Sequence, residues 1–301
     1  MLKHLVNHVE RNPLYRIWIM SDLQQSDLTI AEKCLSTAVN DFKEIDLPCD
    51  YIWNLGDTVQ GKNLSVIEDM VKLQISLLEP LSIPLRFTCG NHEFDSYHGN
   101  FGKKEVENIP CFSHQLFSEV TNWRSSSHIS DFYFKEQIGE LTIFFFPDHA
   151  DPSGRWATSS GDVHGDSEIY PFSEEDYFKV RKEIQDSQGP VITAGHNAFA
   201  GGLRPSKLLN QILPLPENVL AHFYGHAHIG DSHWAGPQCY RKISSVDHQN
   251  IPQFDVAALE NLRGDKIRST FLEIYEDFSL GVFFREHDTK KWSEILFVDP
   301  N

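Results

Sequence analysis

Five short segments each follow an apolar run with residues able to hold a cation or move a proton. They are Ser21-Asp22-Leu23-Gln24, Gly56-Asp57, Gly90-Asn91-His92-Glu93, Gly195-His196-Asn197 and Gly225-His226-Ala227-His228. Asp22 and Gln24 are two apart, as are His226 and His228, so in extended backbone each pair projects from one side. The donors are Asp, Gln, Asn and His. A structural zinc site would call for thiolates, and a calcium site for oxygen alone. Mixed imidazole, carboxylate and amide ligands suit Mn, Fe or Zn, and there are enough of them for two ions. One Gly-Asp or Gly-His dipeptide is ordinary loop punctuation. Five such segments in order after five apolar runs form a pattern.

The elements that must position these groups alternate. Arg16–Ser21 reads as a buried strand, Asp27 to about Lys43 as a helix capped at Ser26-Asp27, and Tyr51–Leu55 as a strand. A helix from Leu64 to Leu78 and a strand Ile83–Thr88 follow, giving the rhythm of a parallel sheet covered by helices. Phe132–Lys135 and Leu141–Pro147 are expected to pair across Gly139-Glu140. A helix at Ser173–Asp186 precedes strands Val191–Ala194 and Val219–Tyr224, and the C-terminal part offers strands at Thr270–Tyr275, Ser279–Arg285 and Ile295–Val298. Each segment named above begins where a strand ends, which is where functional groups collect in α/β sheets. With no repeat, low-complexity tract or linker, the chain reads as one domain, 1–301, with its motifs at 22–228 and a strand-rich part from 240.

Composition limits what such a site would act on. The 301 residues carry 26 Lys and Arg against 43 Asp and Glu, a formal charge of −17. That surface repels a phosphate backbone and argues against nucleic acid as partner. No apolar stretch is long enough for a membrane span. The N-terminus lacks the apolar core and cleavage site of a signal peptide. Five scattered cysteines, an odd number without a C-x-x-C pair, read as buried thiols. Together these features place the chain in the cytoplasm.

The five segments in order resemble the pattern of the calcineurin-like metallophosphoesterases: D-x-H, G-D, G-N-H-[DE], a His after a strand, and G-H-x-H. The resemblance covers about two-thirds of the chain. It implies an α/β fold, a four-layer αββα sandwich of two mixed sheets flanked by helices, with a dinuclear centre at the strand ends. Carried over, Asp22, Gln24, Asp57 and His228 would hold the first ion. Asp57, Asn91, His196 and His226 would hold the second, with Asp57 bridging. Two cations held by a bridging carboxylate lower the pKa of a shared water and neutralise charge on a phosphoryl group, so in-line attack by a bridging hydroxide is expected. His92 would then protonate the leaving oxygen, oriented by Glu93 or Asp95. Gln24 stands where most members carry His. This D-x-Q form is similar to that of manganese-dependent ADP-ribose/CDP-alcohol diphosphatases, which makes Mn the favoured metal.

The run Gly56-Asp57-Thr58-Val59-Gln60-Gly61 lacks the Arg of protein Ser/Thr phosphatases and the Tyr ligand of purple acid phosphatases. The expected substrate is a small phosphodiester, a pyrophosphate-type compound or a phosphomonoester. The alternatives are a metal-free scaffold on the same fold, or a nuclease of the superfamily. Asp148, His149, His98, Arg155 and Trp156 are further candidates for the pocket wall. Asn197 reads as a turn residue, and His4, His8, His114, His222 and His287 as surface or packing residues.

Overall fold

The computed structural model describes residues 11–25, 27–59, 64–90, 92–93, 116–125, 133–147, 174–199, 212–226, 228, 244–246, 251–261 and 266–299. Among the expected site residues, Asn91, Asp95, His98, Asp148, His149, Arg155 and Trp156 lie outside them, as do His4, His8 and His114.

Two mixed sheets carry the molecule. In the first, β1 (Tyr15–Met20), β2 (Tyr51–Asn54), β3 (Leu85–Phe87) and β4 (Arg124–Ser125) run parallel. The antiparallel strands β11 (Arg268–Ile274), β12 (Leu280–Glu286) and β13 (Lys291–Val298) join on the other side of β1, giving the order β13-β12-β11-β1-β2-β3-β4. The second sheet has the order β5-β6-β7-β8-β10-β9. Its strands are β5 (Phe134–Ile138), β6 (Leu141–Phe146), β7 (Val191–Gly195), β8 (Val219–Tyr224), β9 (Ser244–Val246) and β10 (Ile251–Asp255). There β6, β7, β8 and β10 run parallel.

The period of two along β1 sorts its side chains into layers. Ile17 and Ile19 pack between the sheets with Trp53, Phe145, Ile192, Phe223 and Phe254. Trp18 and Met20 face the other way, onto the helices α1 (Leu28–Ile45) and α2 (Leu64–Leu78). Trp18 stacks on Phe42 of α1 at 4.6 Å. Helix α1 begins where the sequence placed it, with the Asp27 carboxylate accepting from Thr29 N–H at 2.8 Å. A third apolar layer seats α3 (Glu174–Asp186) on the second sheet through Tyr177, Val180 and Ile184. The result is helix, sheet, sheet, helix, the expected four layers.

Strand ends fall within three residues of the sequence reading, and β8 coincides with it, except that β13 begins four earlier. Strands β4, β9 and β10 were not expected. Pro252 lies inside β10, and a proline demotes a run read as a strand. It is accommodated because the β10–β8 register covers Gln253–Asp255, leaving Pro252 opposite Ser245 of β9.

Candidate metal centre

The C-terminal ends of β1, β2, β3, β7, β8 and β10 all open at one edge of the sandwich, because all six run parallel within their sheets. Backbone bonds lace the loops together. Asp22 N–H donates to Gly56 O at 3.0 Å, Gln24 N–H to Asp57 O at 2.9 Å, and Gly225 N–H to His196 O at 3.0 Å. The Asp22 carboxylate accepts from His226 N–H at 2.9 Å, which joins the two sheets at this edge. Two glycines are required by close approach. A Cβ on Gly90 would collide with Asp57 Oδ1, and one on Gly225 with Ser21 Oγ and Asp22 Oδ2. Asp22, Asp57, His226 and His228 all have positive φ, between 47° and 68°. Four non-glycine residues in that region at one spot concentrate backbone strain where side chains must be aimed.

The ligand atoms of Asp57, His196 and His226 lie within 4.8 Å of one another, and so do those of Asp22, Asp57 and His228. Asp57 belongs to both groups. His196 Nε2 is 3.1 Å from Asp57 Oδ2 and 3.1 Å from His226 Nδ1, and His228 Nε2 is 3.2 Å from Asp22 Oδ1. Bonds of about 2.1 Å at octahedral or tetrahedral angles put neighbouring ligand atoms about 3.0–3.4 Å apart. The donors present therefore fit a pair of divalent ions. The carboxamide of Gln24 meets His228 Nε2, and a half-turn about its last torsion exchanges nitrogen for oxygen there.

Two of these imidazoles, His196 and His228, have a partner on the far side. His196 Nδ1 donates to Leu55 O at 2.8 Å, which leaves Nε2 as the lone-pair nitrogen facing Asp57. His228 Nδ1 faces Glu260 Oε1 at 3.0 Å. Burial pushes the Asp57 carboxyl up, but His196 and His92 outweigh it and hold the group far below the usual carboxylate range. At Asp22 burial wins over His228 and His196, and its pKa is raised.

His92 lies beside this cluster and outside both groups. Its N–H donates to Asp57 Oδ1 at 2.8 Å, and its Nε2 is 3.9 Å from Asp57 Oδ2 with the side chain 19% exposed. Glu93 differs from the expectation that it orients His92. Its carboxylate accepts from Asp57 N–H at 2.9 Å, Thr58 N–H at 2.7 Å, Thr58 Oγ1 at 2.9 Å and Gly90 N–H at 2.5 Å. It clamps the loop after β2 to the loop after β3. Burial, then Asp57, pushes its pKa up to about 7.

Two acidic residues here belong to no sequence motif. Glu260 follows β10, and Asp255 ends it; both are buried. Burial, then Asp22, raises the Asp255 pKa well above the ordinary value, and Ala257 N–H donates to its Oδ1 at 2.8 Å. The signal that could have found them is a sixth apolar run ending in Phe254-Asp255, obscured by Pro252. A cavity of about 750 Å³ lined by Gly139, Glu140, Gln188 and Gly189 lies at the opposite ends of β6 and β7, remote from this chemistry.

The calcineurin-like phosphoesterase family model matches residues 15–230, and the chain belongs to that family. The family supports a phosphoesterase, a hydrolase, and implies a dinuclear divalent metal site. A comparison with curated protein sequences gave no match. The fold is shared with solved structures of low identity. A dimetal phosphatase from Danio rerio is 13% identical with a TM-score of 0.66, covering 96% of this chain and 100% of its own. GAP50, the anchor in the inner membrane complex of Plasmodium, is 11% identical with a TM-score of 0.57, covering 96% and 90%. Purple acid phosphatase PPD1 from yellow lupin (Lupinus luteus) seeds is 11% identical with a TM-score of 0.53, covering 95% and 53%. No helix among the described residues is long and apolar enough to cross a membrane.

Proposed function

We propose that this chain hydrolyses a small phosphodiester or pyrophosphate-type compound, with phosphomonoesters as the weaker class, using two divalent ions of which Mn is the first choice. The observation that carries the reading is that Asp57 belongs to two separate groups of converging donors. In it, Asp22, Gln24, Asp57 and His228 hold one ion, and Asp57, Asn91, His196 and His226 the other. Bound there, the ions would lower the pKa of a shared water and offset charge developing on the phosphoryl oxygens during in-line displacement.

The chain's own residues do the rest. Leu55 O and Glu260 orient the imidazoles of His196 and His228. Glu93 fixes the β2 and β3 loops, so Asp57 and His92 keep their spacing. His92, partly exposed, is the group able to pass a proton to the leaving oxygen. The −17 charge supports a small substrate over a nucleic acid. The thiols of Cys34 and Cys49 support a cytoplasmic compartment, and the pairing of β11 with β1 supports one domain.

The test is a hydrolysis screen over bis-p-nitrophenyl phosphate, p-nitrophenyl phosphate, cyclic nucleotides and ADP-ribose-type compounds with Mn, Fe and Zn in turn. Metal-dependent turnover of the diester or pyrophosphate compounds is expected. Protein that takes up no metal after reconstitution and turns over none of them would instead be a scaffold on this fold.

A further inference from the structure

Each proposed ion site includes one neutral carboxamide, Gln24 or Asn91, but the first has a single imidazole, His228, where the second has two, so its nitrogen donation rests on that one ring. Their outer partners differ as well. In the second site His196 Nδ1 donates to a neutral carbonyl, Leu55 O, at 2.8 Å. In the first, His228 Nδ1 meets the carboxylate of Glu260 at 3.0 Å. An anionic acceptor polarises the ring more than a carbonyl does, and it makes the opposite nitrogen a stronger donor.

Glu260 is also built into the same loop as the first site. Its N–H donates to Asp22 O at 3.1 Å, and the N–H of Leu259 donates to Ser21 O at 3.0 Å. Its second carboxylate oxygen, Oε2, accepts from Gln25 Nε2 at 3.2 Å, and Gln25 directly follows Gln24. Gln25 and Glu260 are each about 1% exposed. Asp22, Gln24, Gln25, Glu260 and His228 thus form one connected unit, in which the carboxylate is fixed at both oxygens and aimed at a single imidazole nitrogen.

We propose that Glu260 is a positioning residue for the first ion, supplying through His228 the donor strength that the carboxamide of Gln24 does not. The proposal rests on the dinuclear reading above. Glu260 holds the His228 tautomer with Nε2 facing Asp22 and the ion, and its effect is confined to that ion.

The experiment titrates chelator-stripped protein with Mn, counts bound ions after equilibrium dialysis, and records the spin-coupled Mn–Mn signature by electron paramagnetic resonance. Glu260→Leu removes the acceptor. Glu260→Gln keeps an oxygen for Nδ1–H and removes only the charge, and its fold is checked by circular dichroism. Wild type is expected to bind two ions. Glu260→Leu should weaken one of them by about 10–100-fold, and Glu260→Gln by less, with the other constant unchanged and the coupled signature lost at limiting Mn. In a His228→Ala background, Glu260→Gln should have no further effect on Mn affinity, which a general structural role would not predict. Unchanged constants in both single variants would overturn the proposal, as would parallel weakening of both ions. Wild-type protein that takes up fewer than two ions would instead overturn the dinuclear reading, a separate failure.

Discussion

Two buried clusters in this molecule are built around aspartate and histidine, and only one is assembled like a reactive site. On the helix side of the first sheet, Asp41 of α1 receives both nitrogens of the Arg285 fork, at 2.8 and 2.7 Å, and His287 Nδ1 at 2.9 Å. His287 Nε2 meets Ser269 Oγ at 2.6 Å, and Trp18 Nε1 donates to the same hydroxyl at 2.7 Å. Serine, histidine and aspartate stand here at the distances of a nucleophilic triad. Yet Ser269 and His287 are at most 1% exposed, and the hydroxyl already serves an indole. None of Asp41, Ser269, Arg285 or His287 has positive φ. At the strand-end edge, by contrast, four left-handed residues and two crowded glycines turn imidazole and carboxylate atoms onto one another about 3 Å apart. Buried aspartate and histidine at about 3 Å are common to both clusters. Backbone strain and convergence of like donors separate them.

The largest effect should come from breaking the convergence. Asp57→Asn, and separately His226→Ala, should lower activity by more than the roughly 10–100-fold of an outer-partner loss. Bound metal should fall with it, as read by metal analysis beside the assay. Activity and metal content that part company would place these residues outside the ion sites.

Asp41→Ala should do the reverse. It strands the Arg285 fork and His287 in a buried position, and removing one partner of such a network costs about 3–5 kcal/mol. Denaturant melts should register the loss while the folded fraction keeps its metal count and turnover. If turnover fell with stability intact, the two clusters would not be independent.

His92→Asn sharpens the line within the metal centre. Both ions should stay bound while activity drops by roughly 10²-fold or more, the scale of a lost general acid. Nitrophenolate esters should suffer least, since they need little protonation. Metal lost in step with activity would make His92 a ligand.

Another buried histidine belongs with the satisfied cluster. His222 has Asn197 O at 2.8 Å and Thr193 Oγ1 at 3.0 Å on its two nitrogens. Burial holds its pKa down to about 4, against the pull of its hydrogen bonds. The folded value lies below the ordinary value of about 6.5, so on acidification the unfolded chain takes the proton first. Stability from this group is complete above about pH 6.5 and declines as pH falls towards 4. His222→Gln should flatten the stability–pH slope in that window, measured by denaturant melts. An unchanged slope would show that His222 titrates normally.

How far the sequence could be read follows from the same contrast. The parallel strands β1, β2, β3, β7 and β8 were legible because each is a short apolar run soon stopped by Gly, Asp or His, and their ends carried the donor residues with them. Glu93 was legible as a site residue but not as a clamp, since four donors from two different loops meet on it only in three dimensions. Glu260 and Asp255 were hidden because β10 contains Pro252 and because their partners, His228 and Asp22, are distant in the chain. His287 has no motif around it, and its partner Asp41 is 246 residues away on a helix whose polar positions otherwise read as surface.

The smallest and most informative effect concerns Gln24, whose carboxamide faces His228 inside the cluster. An amide oxygen is a harder and weaker donor than imidazole, and oxygen-rich sites favour Mn over the metals that prefer nitrogen. The first ion should therefore be the looser one, so activity should depend on added Mn and decline on dilution into metal-free buffer. Gln24→His should tighten that ion and move preference towards Zn or Fe, with some loss of turnover. Gln24→Ala should raise the Mn concentration for half-activation. If Gln24 instead only hydrogen-bonds beside the ion, Gln24→Ala would lower turnover and leave that concentration nearly constant. Wild-type protein that holds both ions through extensive dialysis would also refute the looser first site. Glu260 refines the test, because it reinforces the one imidazole the first site has. With Gln24→His adding a second, the penalty of Glu260→Gln on Mn affinity should shrink, and an equal penalty in both backgrounds would mean the two residues act on the ion independently.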